Sequence, residues 1–241
     1  MTTRRLRRLF GDDGRSLVVA MDHPAFADQV QQGLADPESI IRAVVAAGSD
    51  GLLLPPGGAE RWSGAVGRAA LIVSLPLDAR RGVATALRIG ADAVKVITCP
   101  WLPGEPDERG RLSALAAECH RWGLPLMVET VPGGWDAAAE FRSVDRIAAA
   151  ARMAAELGAD VVKTFAPWSS EETRQLVEYA TVPVLLLGGG PQVDRSMLQQ
   201  RAAQSLAAGA AGLVIGRNIW GVDDPQSACA ELVRLVHGVS A

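Results

Sequence analysis

Gly158-Ala159-Asp160-Val161-Val162-Lys163-Thr164-Phe165 decides the reading of this chain. A β-branched run after a Gly-Ala-Asp turn reads as a strand buried on both faces, and lysine is among the side chains least often buried without a partner. Gly90-Ala91-Asp92-Ala93-Val94-Lys95 repeats the turn, with its lysine again five residues after the glycine. Gly48-Ser49-Asp50 and Gly209-Ala210-Ala211 are weaker copies before two further apolar runs. Between the lysines lies Leu124-Pro125-Leu126-Met127-Val128-Glu129-Thr130, a strand that carries an acid where the others carry an amine. The repeat predicts Lys95 and Lys163 at equivalent places in equivalent strands, with Glu129 at the matching depth between them.

Outward from this stretch, apolar runs alternate with helical patterns along the whole chain. Strands are expected at Leu17–His23, stopped by Pro24, and at Gly48–Leu54, Ala70–Ser74, Ala93–Thr98, Leu124–Thr130, Ala159–Phe165, Val182–Leu187 and Gly212–Ile215. Asp36-Pro37-Glu38 starts a helix with an aspartate cap and a first-turn proline, whereas Pro55-Pro56-Gly57-Gly58 reads as a loop before a short helix at Glu60–Val66. Eight parallel strands with short connections predict an α/β fold, a single (β/α)8 TIM barrel over residues 1–241, with 1–12 as an N-terminal helical extension closing one end. A doubly wound open sheet is the alternative; the odd/even repeat favours closure.

Composition narrows the function. The 241 residues are 49% hydrophobic, with a formal charge of -3 that leaves no electrostatic footprint for nucleic acid. No apolar run is long enough for a membrane span and no secretory pattern opens the chain. Three cysteines without metal-ligand spacing fit a reducing compartment, so the expectation is a cytoplasmic protein with no metal and no cofactor. Apolar outer-helix faces and tryptophans point to a homo-oligomer. Trp62, Trp101, Trp135, Trp168 and Trp220 each follow a strand end, at the mouth where barrels keep catalytic loops.

The two lysines and the glutamate carry the chemistry. A lysine amine attacks a carbonyl only when unprotonated, and both burial and a second cation favour that form. Lys163 is the candidate nucleophile, Lys95 the second cation and Glu129 the proton shuttle, with Asp22 taking a substrate hydroxyl proton from the facing side and His23 beside it. Gly188, Gly189 and Gly190 after strand seven, and Gly216 with Arg217 after strand eight, lie where barrels bind phosphate through backbone N–H groups.

Ala20-Met21-Asp22-His23, Ala159-Asp160-Val161-Val162-Lys163-Thr164, the triple glycine and Gly212-Leu213-Val214-Ile215-Gly216-Arg217-Asn218 together resemble the class I aldolases of the deoxyribose-phosphate, tagatose-bisphosphate and archaeal fructose-bisphosphate group. The resemblance implies that Lys163 forms a Schiff base and that the glycine clusters with Arg217 hold a substrate phosphate. It also implies a sugar phosphate, with dihydroxyacetone phosphate as ketone product or donor. Archaeal members use a tyrosine as proton donor, whereas the one tyrosine here, Tyr179, falls on the helix after strand six; Lys95 with Glu129 is instead similar to the tagatose-bisphosphate and sulfofructose-phosphate aldolases. The rival expectations are a Schiff-base transaldol or acyl transfer, and a sugar-phosphate sensor without catalysis.

Overall fold

Each Gly-x-Asp turn does one structural job, visible in the computed structural model, which describes residues 4–104, 107–189 and 194–238. The glycines at 48, 90, 158 and 209 all have φ between 89° and 106°, the left-handed conformation that ends the preceding helix. Two residues on, Asp50, Asp92 and Asp160 each grip one residue of the previous strand twice. Their carboxylates accept from the N–H groups of Leu17 (2.6 Å), Leu71 (3.0 Å) and Leu126 (3.0 Å), and their own N–H groups donate to the carbonyls of those same leucines. Ala211 keeps only the backbone half, donating to Val184 O at 2.9 Å.

The strands so joined are β1 (Ser16–Ala20), β2 (Gly51–Leu54), β3 (Ala70–Ser74), β4 (Ala93–Thr98), β5 (Leu126–Thr130), β6 (Val161–Thr164), β7 (Val184–Leu187) and β8 (Gly212–Ile215). All pair in parallel with their sequence neighbours, and β8 pairs with β1, so the barrel is closed and the open-sheet alternative is excluded. At that seam a Cβ on Gly212 would lie 1.9 Å from Ser16 O, so only glycine lets the two backbones meet.

Helix α1 (Arg4–Arg8) precedes β1. The outer ring is α2 (Pro37–Ala46), α3 (Pro56–Val66), α4 (Arg80–Ile89), α5 (Arg109–Arg121), α6 (Val144–Glu156), α7 (Ser170–Ala180) and α8 (Arg195–Ala207). After β8 come the short α9 (Arg217–Trp220) and α10 (Pro225–His237). Asp36 caps α2 by accepting from Ser39 N, and Ser169 with Glu172 forms a reciprocal capping box on α7. The expected loop at Pro55–Gly58 is instead the first turn of α3. Pro56 presets its φ at N1, and Gly58 lies under the Trp62 ring, 2.9 Å from where a Cβ would be.

Alternation along the strands divides the core in two. Outward residues such as Leu52, Val94, Val128 and Val162 pack under the helices, while inward Val18, Leu53, Ile72, Met127, Val161, Leu185 and Val214 fill the barrel. Leu9 enters this inner layer from below with no exposure, flanked by Leu6 and Phe10, so the segment after α1 plugs the N-terminal end. Burying side chains of this size contributes roughly 1.5–3 kcal/mol each. With the bottom sealed by apolar packing, the polar inward residues collect at the top. No described helix is long and apolar enough to cross a membrane.

Candidate active site

At the top of the barrel interior, apolar residues give way to four ionisable ones. Lys95 Nζ lies 2.7 Å from Glu129 Oε2 and 3.0 Å from Asp22 Oδ2; Lys163 Nζ lies 2.8 Å from Glu129 Oε1. Glu129 thus bridges the two amines with one oxygen each. Asp22, Lys95, Glu129 and Lys163 are all at most 4% exposed, so each charge is stable only through the others.

The lysines are level, as the repeat predicts. Lys95 pairs in register with Met127 and Glu129 with Lys163. The strands of a closed barrel tilt, so register drops by about one residue per strand around it; two strands on from Lys95 the level residue is Lys163, and alternate strands share one inward layer. Their partners differ. Lys95 is held by Glu129, Asp22 and, at 3.5 Å, the Ser74 hydroxyl, while Lys163 has Glu129 as its one ion-pair partner among the described residues.

Protonation follows from those partners. Burial opposes the charge on Lys95, but Glu129 and Asp22 outweigh it and hold its pKa above the ordinary lysine value. For Lys163 burial dominates, Glu129 offsets it only in part and the Lys95 cation works against it, so its pKa falls. Burial would raise both carboxyls, yet Lys163 and Lys95 keep Glu129 ionised and Lys95 with Lys163 keeps Asp22 ionised, both below the usual range. The cluster therefore holds one fixed ammonium, two carboxylates and one amine disposed to lose its proton.

These groups open into a cavity of about 280 Å³ with His23, Phe26, Ile97, Trp135 and Arg217 on its walls. His23 stands edge-on to Trp220 with ring centroids 5.4 Å apart, its buried Nδ1 without a hydrogen bond among the described residues, and burial pushes its pKa down. Arg217, the first residue of α9, has a buried Nε that also lacks a partner among the described residues. Its entry is set by Gly216, where a Cβ would lie 2.5 Å from the His23 ring and 2.8 Å from Ala20 O. Asn218 Nδ2 donates to Gly188 O at 2.9 Å, tying the two glycine clusters together. Gly188 and Gly189 themselves line an adjoining apolar hollow with Phe165, Trp168 and Arg201, and Gly190 lies outside the described residues.

Of the five tryptophans expected at the mouth, Trp135 lines this cavity. Trp220 is buried beneath it, donating from Nε1 to Ala20 O at 2.8 Å, and Trp101 and Trp168 carry Arg146 and Arg201 on their faces. Two contributors escaped the sequence reading. Phe26 places its ring 5.3 Å from Lys95 Nζ, and Arg142 donates to the carbonyls of Pro132, Gly134 and Trp135, fixing the loop after β5. The Gly133-Gly134 pair signalled a tight turn there, but nothing in residue type pointed to the arginine that holds it.

The model of the DeoC/LacD family aldolases matches residues 16–221. This chain belongs to that family. The 2-amino-3,7-dideoxy-D-threo-hept-6-ulosonate synthase of Halobacterium salinarum is 35% identical to this aldolase over 246 residues, covering 98% of the chain and 91% of the synthase. The fructose-bisphosphate aldolase class 1 of Thermoproteus tenax is 32% identical, over 98% of this chain and 95% of its own. Among solved structures, an archaeal fructose-1,6-bisphosphate aldolase with its catalytic lysine covalently bound to the carbinolamine intermediate of the substrate superposes with a TM-score of 0.84, at 29% identity, over 97% of this chain and 98% of that one. The chain is thus a class I aldolase, an aldehyde-lyase of the Schiff-base type, in agreement with the sequence reading.

Proposed function

We propose that Lys163 is the Schiff-base lysine and that the substrate is a phosphorylated ketose whose ketone half is dihydroxyacetone phosphate. The observation that carries this is the unequal pair: Lys95 bound to two carboxylates with its pKa raised, Lys163 to one with its pKa lowered. Lys163 Nζ attacks the ketone carbon, and the carbinolamine loses water to a protonated imine. In the cleavage direction the imine draws in the electron pair of the breaking C–C bond, and the C4 hydroxyl gives its proton to Asp22 or Glu129. Protonation of the enamine carbon and hydrolysis then release the ketone and return the free amine. Lys95 does not react; its fixed charge keeps both carboxylates ionised and favours the neutral form of Lys163.

Arg217, Gly216, Gly188, Gly189 and Gly190 hold the phosphate, with His23 lining the same side. The support is the buried Nε of Arg217, which has no partner among the described residues and is a donor suited to an oxyanion. No observation favours transaldol or acyl transfer, and a mere sensor has no use for an amine disposed to lose its proton. Three free cysteines, Cys119 and Cys229 buried and Cys99 partly so, suit a reducing cytoplasm.

Borohydride reduction with dihydroxyacetone phosphate, read by intact mass and peptide mapping, tests the reading. Added mass appears on the peptide holding Lys163 and is absent in Lys163→Ala. Mass on Lys95, or none where binding is detectable, overturns it.

A further inference from the structure

Resting on that reading, the geometry points to the other half of the substrate: we infer that the aldehyde partner carries no phosphate and presents an apolar group, aryl or branched alkyl, to a wall formed by Ile97 and Trp135 beneath Phe26. With the ketone carbon on Lys163 of β6 and its phosphate towards Arg217 after β8, the carbon that bonds the aldehyde faces away from β8, across the barrel to β4 and β5. Ile97 lies there in register with Glu129, and Trp135 and Phe26 stand on the rim, more than half exposed and lining the same cavity.

That side offers a second phosphate no counter-charge among the described lining residues. Arg217 is the one guanidinium there and belongs to the first phosphate; Lys95 is fully committed to Asp22 and Glu129. Arg142, close by, turns its two Nη groups to three carbonyls and covers its face with the Phe165 ring at 4.3 Å. A phosphate dianion would instead approach two buried carboxylates. The tryptophan is meanwhile held ready: Arg142 fixes its carbonyl and the Phe165 ring packs edge-on at 5.9 Å, so apolar surface is preorganised where a phosphate would need donors.

In the bond-forming direction the imine of dihydroxyacetone phosphate gives an α-carbon proton to Asp22 or Glu129 and becomes the enamine, whose carbon adds to the aldehyde carbon; the aldehyde oxygen takes that proton, and water hydrolyses the imine. The product is a ketose monophosphate with an apolar tail.

The test uses the full chain with dihydroxyacetone phosphate and, in turn, phenylacetaldehyde, isovaleraldehyde and D-glyceraldehyde 3-phosphate. The expected kcat/KM is at least about tenfold higher for the apolar aldehydes. Trp135→Ala should cut that preference about tenfold through KM, and Trp135→Phe should restore most of it. Preference for the phosphorylated aldehyde, or a preference unchanged in Trp135→Ala, overturns the inference while borohydride trapping on Lys163, which needs no aldehyde, still upholds the Schiff base. Failure of trapping overturns both.

Discussion

Replacing Glu129 with glutamine separates the two tasks of the buried cluster, because it keeps the shape of the bridge between Lys95 and Lys163 and removes its charge. Both contacts, at 2.7 and 2.8 Å, are ion pairs inside a site at most 4% exposed. A unit pair even about 4 Å apart is worth about 4 kcal/mol at an effective dielectric constant near 20. Stranding a buried charge by removing its partner typically destabilises by about 3–5 kcal/mol. Here the loss is smaller, about 1–3 kcal/mol, since Lys163 can release its proton and leave Lys95 paired with Asp22. For a chain of this size that is a melting point about 3–10 °C lower. Losing Glu129 removes the charge that raises the Lys163 pKa and leaves the Lys95 cation that lowers it, so the amine stays neutral to lower pH. Borohydride trapping with dihydroxyacetone phosphate should therefore persist, with its acid limit moved to lower pH. Steady-state aldol cleavage should fall about 10²–10⁴-fold, as expected for a lost proton-transfer group. Trapping across a pH series and turnover on the same preparation, with circular dichroism as the folding control, measure both. Cleavage within about tenfold of wild type, or an acid limit moved upward, would refute the reasoning.

Lys95→Met has the opposite sign: Lys163 then faces Glu129 and Asp22 without a competing cation, so its pKa rises and trapping shifts to higher pH, read in the same series. Arg217→Ala should raise KM for dihydroxyacetone phosphate about 10–100-fold, the worth of a charged hydrogen bond of about 1.5–3 kcal/mol, with a smaller change in kcat; an unchanged KM in steady-state assays would remove Arg217 from the phosphate site. At the barrel bottom, His237 bridges Asp13 (2.9 Å) and Asp50 (3.0 Å). Burial lowers the His237 pKa, but its hydrogen bond to Asp13 and the Asp50 charge raise it further, so its stabilisation is present below the unfolded value and lost as pH rises through the folded one. Asp13 resists burial through its hydrogen bonds to Arg15 and His237 and is lowered, so its share is lost as pH falls through its own folded pKa; Asp50, raised by burial, gains nothing from ionising. His237→Gln should therefore cost up to about 1 kcal/mol of stability near pH 6 after screening, seen as a lower melting point there and hardly at all near pH 9.

The barrel was legible because its turns repeat: the left-handed glycine and the clasping aspartate must sit at fixed distance before a strand, and that spacing survives in the sequence around residues 48–50, 90–92 and 158–160. The cluster was legible because lysine and glutamate in apolar runs demand partners. The division of partners was not. The turns place Lys95 and Lys163 alike, and only the fold brings Asp22 of the facing side onto Lys95, leaving Lys163 one carboxylate instead of two. Arg142 and Phe26 were invisible for a different reason, since an arginine bound to carbonyls and a ring over an ammonium depend on loop paths that residue type does not encode. Pro55–Gly58 misled because proline and glycine mark a helix's first turn as readily as a loop.

Three pairs of strands carry an aspartate clasp and the fourth, β7 with β8, has Ala211 in its place. Of the four strand pairs, β7 with β8 thus lacks the side-chain tie that holds the other three. That pair is the one whose upper ends bear Gly188, Gly189, Gly216 and Arg217, and its glycine seam at Gly212 meets β1 through backbone alone. Amide protons of β7 and β8 should exchange with solvent sooner than those of the clasped staves, and a ligand drawn to Arg217 would lend this sector the rigidity that its sequence omits.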